Sequence, residues 1–165
     1  MKYLITLALL VALALPAQAS HIWVDPAGVR GATTLSGALA ALSGEDSIRI
    51  MAGVYVNDGI DTADWTAAPP FILAEDGPGT VQFSHTQTTA PEDYFLELNA
   101  TYTGYVFEGI DWGYSSAITT GKGIYARPGL DTALFTDCTF SNASTAYVFA
   151  SAQFASLDFV SCRFD

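Results

Sequence analysis

Basic side chains are scarce in this sequence of 165 residues, which holds six Lys and Arg against 17 Asp and Glu and carries a formal net charge of −11 at pH 7. A surface with such an excess of negative charge repels phosphate backbones and anionic lipids. The composition therefore argues against a nucleic-acid partner. It suits solvation of the surface or the binding of cations.

Long apolar runs are missing from the chain after its start. Lys2 precedes an apolar run over 4–15, and Ala17-Gln18-Ala19 supplies the small residues of a cleavage site, so residues 1–19 are predicted to be a secretory signal peptide. No second run of roughly 20 apolar residues follows that could span a membrane. We expect a mature protein that is secreted, periplasmic or bound at the cell surface, with no membrane span.

The chain does contain a repeat of about two dozen residues. Apolar side chains recur at spacings of 24, 24, 28 and 24 residues, and each is followed two positions later by another apolar residue. A pair at i and i+2 places two side chains on one face of a strand, so each pair predicts a short strand that faces a core. The first members are Ile48, Ile72, Leu96, Ile124 and Val148, and the second members are Ile50, Ala74, Leu98, Ala126 and Ala150.

Phenylalanines follow four of these pairs at a constant offset of 11 residues from the first member. They are Phe83, Phe107, Phe135 and Phe159, and we predict that they form a single interior column. Three residues after the last three stand Ile110, Cys138 and Cys162, followed by Trp112, Phe140 and Phe164. The odd step of three contains Gly109, Asp137 or Ser161 and predicts a tight bend between two strands.

Each repeat therefore predicts three short strands separated by turns. Stacked repeats place like residues about 4.8 Å apart in parallel ladders, so that each inward column holds one residue type. Cys138 and Cys162 share a column one coil apart, and their spacing matches no zinc pattern. We expect a stack of two buried thiols rather than a disulfide, because in-register parallel neighbours seldom offer the disulfide torsion angle.

The start of the mature chain predicts a cover for the open end of this stack. Ile22-Trp23-Val24 has the pattern of a strand, and the apolar residues of 34–42 lie at helical spacing. We assign residues 20–45 to an N-terminal cap and residues 46–165 to the coils. The chain ends inside a strand, so we expect truncation at the C-terminus or end-to-end pairing of the last coil with another chain.

These features resemble the pectin-lyase-like superfamily of right-handed parallel β-helices. The resemblance rests on Ile22-Trp23-Val24-Asp25, on segment 46–55 with its Ile-x-Ile and Gly-x-Tyr spacing, and on Asp137-Cys138-Thr139-Phe140-Ser141-Asn142. It implies an all-β fold, a right-handed, single-stranded parallel β-helix or solenoid with a short N-terminal capping α-helix. Because one scaffold hosts many chemistries, the resemblance implies little about activity.

The longest coil offers the first candidate site. Its extra residues fall between Gly113 and Gly123, in a predicted loop with Tyr114 and Lys122, where a ring and a cation could stack on and pair with an acidic sugar. The resemblance implies that Lys122 or Arg127 could act as the catalytic base of a lyase, with Arg127 also contacting substrate. An ordinary surface loop remains the alternative reading.

Acidic residues offer a candidate metal site. Asp58, Asp61 and Asp64 are spaced three apart and could converge on one cation such as Ca²⁺, although a solvated loop gives the same pattern. A calcium ion needs six to eight oxygen ligands. No ladder of carboxylates forms beside Lys122 or Arg127 that would supply them.

No convergent catalytic cluster is visible, so the sequence predicts first a module that binds, or presents to, polysaccharide or cell-surface glycan. The alternative is the N-terminal fragment of a polysaccharide lyase, esterase or glycoside hydrolase that acts on acidic polysaccharide. A third hypothesis is a unit of an adhesin or fibre. Ca²⁺ is the one cofactor that these hypotheses include, as a possible ligand of the acidic residues.

Overall fold

The computed structural model is a β-solenoid in which parallel strands stack into three ladders. It describes residues 20–43, 47–56, 60–61, 71–85, 94–98, 104–114, 122–126, 130, 132–141, 146–150 and 156–165. The predicted signal peptide, residues 1–19, lies outside the described residues.

Three sheets run along the stack. Sheet 1 has the strand order β1 (His21–Val24), β2 (Ser47–Ile50), β5 (Phe71–Ala74), β8 (Tyr105–Glu108), β11 (Thr132–Thr136) and β14 (Ser156–Val160). Sheet 2 has the order β3 (Gly53–Val56), β6 (Val81–His85), β9 (Ile110–Tyr114), β12 (Thr139–Ser141) and β15 (Arg163–Phe164). Sheet 3 has the order β4 (Ile60–Asp61), β7 (Tyr94–Leu98), β10 (Lys122–Ala126) and β13 (Ala146–Ala150). From β2 onward the chain visits sheets 1, 2 and 3 in turn, which confirms the predicted parallel solenoid with three strands per coil.

Aromatic rings fill the interior in two files, because every second residue of a strand points inward. In sheet 1, Phe107, Phe135 and Phe159 pair in register, with ring centroids 4.9 and 5.1 Å apart. These distances match the strand spacing, so the rings stack coil upon coil. The file of sheet 2 contains Tyr55, Phe83, Trp112, Phe140 and Phe164.

The prediction of one column for all four phenylalanines is wrong for Phe83. Its ring stacks on Trp112 with centroids 4.8 Å apart, in sheet 2 rather than sheet 1. The register of sheet 1 passes from Ile72 directly to Phe107, a step of 35 residues where Ile48 to Ile72 takes 24. Because this second coil is longer, residues that share a position in the 24-residue sequence repeat lie in different sheets before and after it.

The predicted column of aliphatic pairs divides in the same way. Ile48 and Ile72 pair in sheet 1, whereas the later members lie in sheet 3. In that sheet Leu96 pairs with Ile124 and Ile124 with Val148. All three sheets present aliphatic side chains to the core. The sequence pattern therefore could not distinguish the column of sheet 1 from that of sheet 3.

Single residues make the bends between sheets 1 and 2, as the step of three predicted. Asp137 and Ser161 have φ of 52° and 55°, and Gly109 has φ of 72° at the equivalent position. This left-handed conformation turns the chain within one residue. The backbone N–H of Asp137 donates to the Val160 carbonyl at 2.9 Å, so the ladder continues through the bend.

The N-terminal helix α1 (Leu35–Ala40) lies against the first strand of sheet 1. The Thr34 hydroxyl caps it by accepting a hydrogen bond from the Gly37 N–H. Leu35, Ala38 and Leu39 are buried, which gives the helix one apolar face as its sequence spacing predicted.

Candidate functional site

Apolar residues occupy several neighbouring outward positions of sheet 1. The outward positions of β5, β8 and β11 hold Phe71, Leu73, Val106 and Leu134, and we call these four residues the apolar stripe. Phe71 pairs with Val106, and Val106 with Leu134, so three of them line up directly along the stack. Phe71 is 56% exposed and the other three are half-buried.

Trp23 lies on the same outer face, toward the N-terminal end of sheet 1. It pairs with Arg49, which pairs in turn with Leu73 of the apolar stripe. The Arg30 guanidinium stands over the Trp23 ring at 5.5 Å from its centroid, a cation–π contact. The His21 ring meets Trp23 edge to face at 5.1 Å.

A tight loop brings Arg30 back over Trp23. The buried carboxylate of Asp25 accepts hydrogen bonds from the backbone N–H groups of Ala27, Val29 and Arg30, at 2.8 to 3.2 Å. A Cβ at Gly31 would lie 2.4 Å from the Trp23 carbonyl oxygen, so only glycine allows this close approach.

An ion pair borders the apolar stripe. Arg49 Nη1 donates to Glu75 Oε2 at 2.6 Å, and both side chains are partly exposed. Charge-assisted hydrogen bonds of this kind are short and stronger than neutral ones. Arg49 Nε is buried and makes no hydrogen bond within the described residues. Outer sheet 1 therefore combines a flat apolar surface, two aromatic rings and a fixed charged pair.

This combination suits a polar ligand with apolar faces. Aromatic and aliphatic side chains cover C–H surface, while a few placed polar groups fix orientation. Sugar rings have this dual character. The sequence reasoning missed the stripe because it followed inward columns only, yet Phe71-Ile72-Leu73-Ala74 shows no polar alternation, which signals a strand apolar on both faces.

Tyr114 occupies a different place from the one expected. It ends strand β9 and is 3% exposed, so it lies in the core rather than in the loop after Gly113. Its ring meets that of His85 edge to face, with centroids 6.1 Å apart. A ring in this position packs the interior of sheet 2 and offers no open face to a sugar.

The other predicted site residues are only partly described. Lys122 begins strand β10, where its backbone pairs with Tyr94 and Ala146. Asp61 belongs to strand β4. The side chains of both, and the whole of Arg127, Asp58 and Asp64, lie outside the described residues. Their predicted catalytic, substrate-binding and Ca²⁺ roles stay predictions.

Cys138 and Cys162 are both free thiols, as predicted, but only Cys138 is buried, whereas Cys162 is half-buried. Cys138 Sγ lies 3.7 Å from the Phe107 carbonyl oxygen and 3.4 Å from that of Thr136. Cys162 Sγ lies 3.4 and 3.5 Å from the corresponding oxygens of Phe135 and Val160. Burial raises the pKa of the Cys138 thiol to about 12, because a thiolate is poorly solvated there.

No described helix combines the length and apolar character that crossing a membrane requires. Groups of three or more His, Cys, Asp or Glu side chains able to share a metal ion are also absent from the described ranges.

No protein-family model, no curated protein and no solved structure matches this chain.

Proposed function

We propose that this protein is a secreted β-solenoid that binds polysaccharide or cell-surface glycan through the outer face of sheet 1. The observation that carries the proposal is the apolar stripe, with Phe71 more than half exposed on a regular parallel sheet. Contiguous apolar surface that remains open to solvent marks an interaction site.

The face supplies both parts of a sugar-binding surface. Phe71 and Leu73 offer apolar area for the C–H face of a pyranose ring, and the Arg49–Glu75 pair offers hydrogen-bonding groups at its border. Stacking on an aromatic ring contributes about 0.5–1.5 kcal/mol beyond area burial. Repetition along the stack lets several such weak contacts act on one polymer chain.

Charge selects the class of glycan. A chain with net charge −11 repels polyuronates and other polyanions at low ionic strength. We therefore expect neutral polysaccharides to bind more tightly than acidic ones.

The finer architecture follows the pectin-lyase-like resemblance. A right-handed sense of winding agrees with the strong preference of parallel crossovers for that hand. The Gly-x-Tyr motif has a structural role consistent with a first coil, since the Tyr55 hydroxyl contacts the carbonyl oxygens of Met51 and Val24 at 2.9 and 3.2 Å. The apolar face of α1 beside β1 supports its role as a cap, and the pattern of residues 1–19 supports secretion.

Affinity electrophoresis in gels cast with single polysaccharides tests the proposal. The native chain should be retarded by at least one neutral polymer, and Phe71→Ala should weaken that binding about 2- to 10-fold, the loss expected for one stacking ring. Val54→Ala is the matched control, because Val54 is 57% exposed on sheet 2 and should leave retardation unchanged. Free migration through every polymer, or an equal loss in both variants, would contradict the proposal.

A further inference from the structure

Two sulfur atoms lie one above the other in the last two coils. Thr136 pairs with Val160 and Thr139 with Arg163, so the intervening residues Cys138 and Cys162 occupy the same register. The N–H of Arg163 donates to the Cys138 carbonyl at 2.9 Å, which continues the ladder between them.

Each thiol makes the same pair of contacts, shifted by one coil. Cys138 Sγ contacts Phe107 in the preceding coil, and Cys162 Sγ contacts Phe135. Phe107 and Phe135 are themselves neighbours in register. The two sulfurs are therefore related by the stacking repeat and lie about 4.8 Å apart.

This separation fits a linear two-coordinate metal ion. A disulfide needs its sulfurs at about 2.05 Å, which the stacked arrangement does not provide. Two metal–thiolate bonds placed in line, each somewhat shorter than the about 2.3 Å of a tetrahedral zinc–thiolate bond, span a little less than about 4.6 Å. Among biological metals, Cu⁺ prefers soft sulfur ligands and accepts two of them in line.

We propose that Cys138 and Cys162 form a binding site for a single soft monovalent cation, Cu⁺ or its analogue Ag⁺, held between two coils. On binding, each S–H bond breaks, one metal–sulfur bond forms at each sulfur and two protons pass to solvent. The oxidation state of the metal does not change.

The surroundings of the sulfurs favour this site. Cys162 is partly exposed and gives the ion a path from solvent. Burial of Cys138 keeps water from its sulfur, and hard cations such as Ca²⁺ usually need several oxygen ligands, water among them.

Anaerobic titration of the reduced native chain with Cu⁺, in competition with bathocuproine disulfonate, tests the proposal. We expect one ion per chain, and X-ray absorption should show two sulfur neighbours in line. The spectrum is recorded on the native chain, so it decides the coordination even if a cysteine variant fails to fold.

Single substitutions supply the second test. Cys138→Ser and Cys162→Ser should each lower Cu⁺ affinity more than about 100-fold, since either one removes a metal ligand. Met51→Leu removes the one sulfur outside this pair in the chain after residue 19 and should leave affinity unchanged. Loss of Cu⁺ to the competitor, a single sulfur neighbour, two ions per chain or full affinity in either serine variant would overturn the site. Absence of free thiols before copper is added would overturn it as well. None of these outcomes depends on glycan binding.

Discussion

Cys138 illustrates how burial changes the chemistry of one side chain. Its sulfur contacts backbone carbonyl oxygens inside the solenoid, and its pKa rises to about 12 because the thiolate loses hydration there. An ordinary thiol titrates near 8.5, so at moderately alkaline pH this residue keeps its proton in the fold and releases it on unfolding.

Stability should therefore fall as pH rises above about 9. Between the pKa of the unfolded thiol and that of the folded one, the native state binds more protons, and the free energy of unfolding decreases by up to about 1.4 kcal/mol per pH unit. Below that range the contribution of Cys138 is complete. Urea unfolding between pH 8 and 10.5 measures the slope, and Cys138→Ser should flatten it. Equal slopes in both proteins would show that other groups cause the dependence.

Trp23 shows at the same scale how backbone hydrogen bonds place a side chain on the outer face of sheet 1. The Asp25 carboxylate gathers three N–H groups, and the loop that it organises brings Arg30 over the Trp23 ring. The sequence named Trp23 and Asp25 as part of a motif. It could not reveal that Arg30 lies over the Trp23 ring, because that contact depends on the fold of the loop that Asp25 organises.

The bends between sheets 1 and 2 are the elements most open to stabilisation. Asp137 and Ser161 adopt positive φ with exposed side chains, whereas Gly109 fills the equivalent position in an earlier coil. A left-handed conformation costs a non-glycine residue about 1–2 kcal/mol.

Asp137→Gly and Ser161→Gly should each raise the free energy of unfolding by about 1 kcal/mol, less the entropy that glycine adds to the unfolded chain. Thr136→Gly, one residue before the first bend and inside strand β11, is the control and should lower it. Thermal and urea unfolding measure all three variants. Destabilisation by both bend substitutions would show that the bends carry no strain.

Strand identity was predictable from sequence, but the register of the second coil was not. The step of three with its bend residue fixes the order of sheets 1 and 2 in the later coils, and those strands lie where the pattern placed them. Between Ile72 and Phe107 no such marker fixes the register, and the coil takes 35 residues. Loop length costs little free energy, so the sequence carries little information about it.

At the scale of the molecule, charge opposes compactness. A net charge of −11 repels itself across the folded surface, and salt weakens this repulsion as the Debye length falls from about 30 Å at 0.01 M to about 3 Å at 1 M. Salt weakens exposed ion pairs such as Arg163–Asp165 as well, but that loss is small because solvent already screens them.

Sodium chloride should therefore raise the melting temperature at pH 7, by about 3 °C for each kcal/mol of repulsion removed. The control is the same titration near pH 4.2, the isoelectric point, where net charge vanishes and the salt effect should largely disappear. Scanning calorimetry measures both. An equal rise at the two pH values would indicate a general effect of salt on apolar burial instead.

The candidate binding face belongs to the whole molecule rather than to any motif. Phe71 and Leu134 are 63 residues apart in sequence and become near neighbours through Val106 only when three coils stack. Sequence patterns could establish that these residues lie on strands. Their common outer face required the register of the long coil.

The last coils also show how such a molecule can change its length. Every position from 132–136 pairs in register with the position 24 residues later in 156–160, and the bend and the sulfur-bearing residue recur at the same spacing. A tandem duplication of one such unit would pack on a matching coil above and below. Evolution or an engineer could therefore lengthen the solenoid by whole coils without changing the contacts between coils.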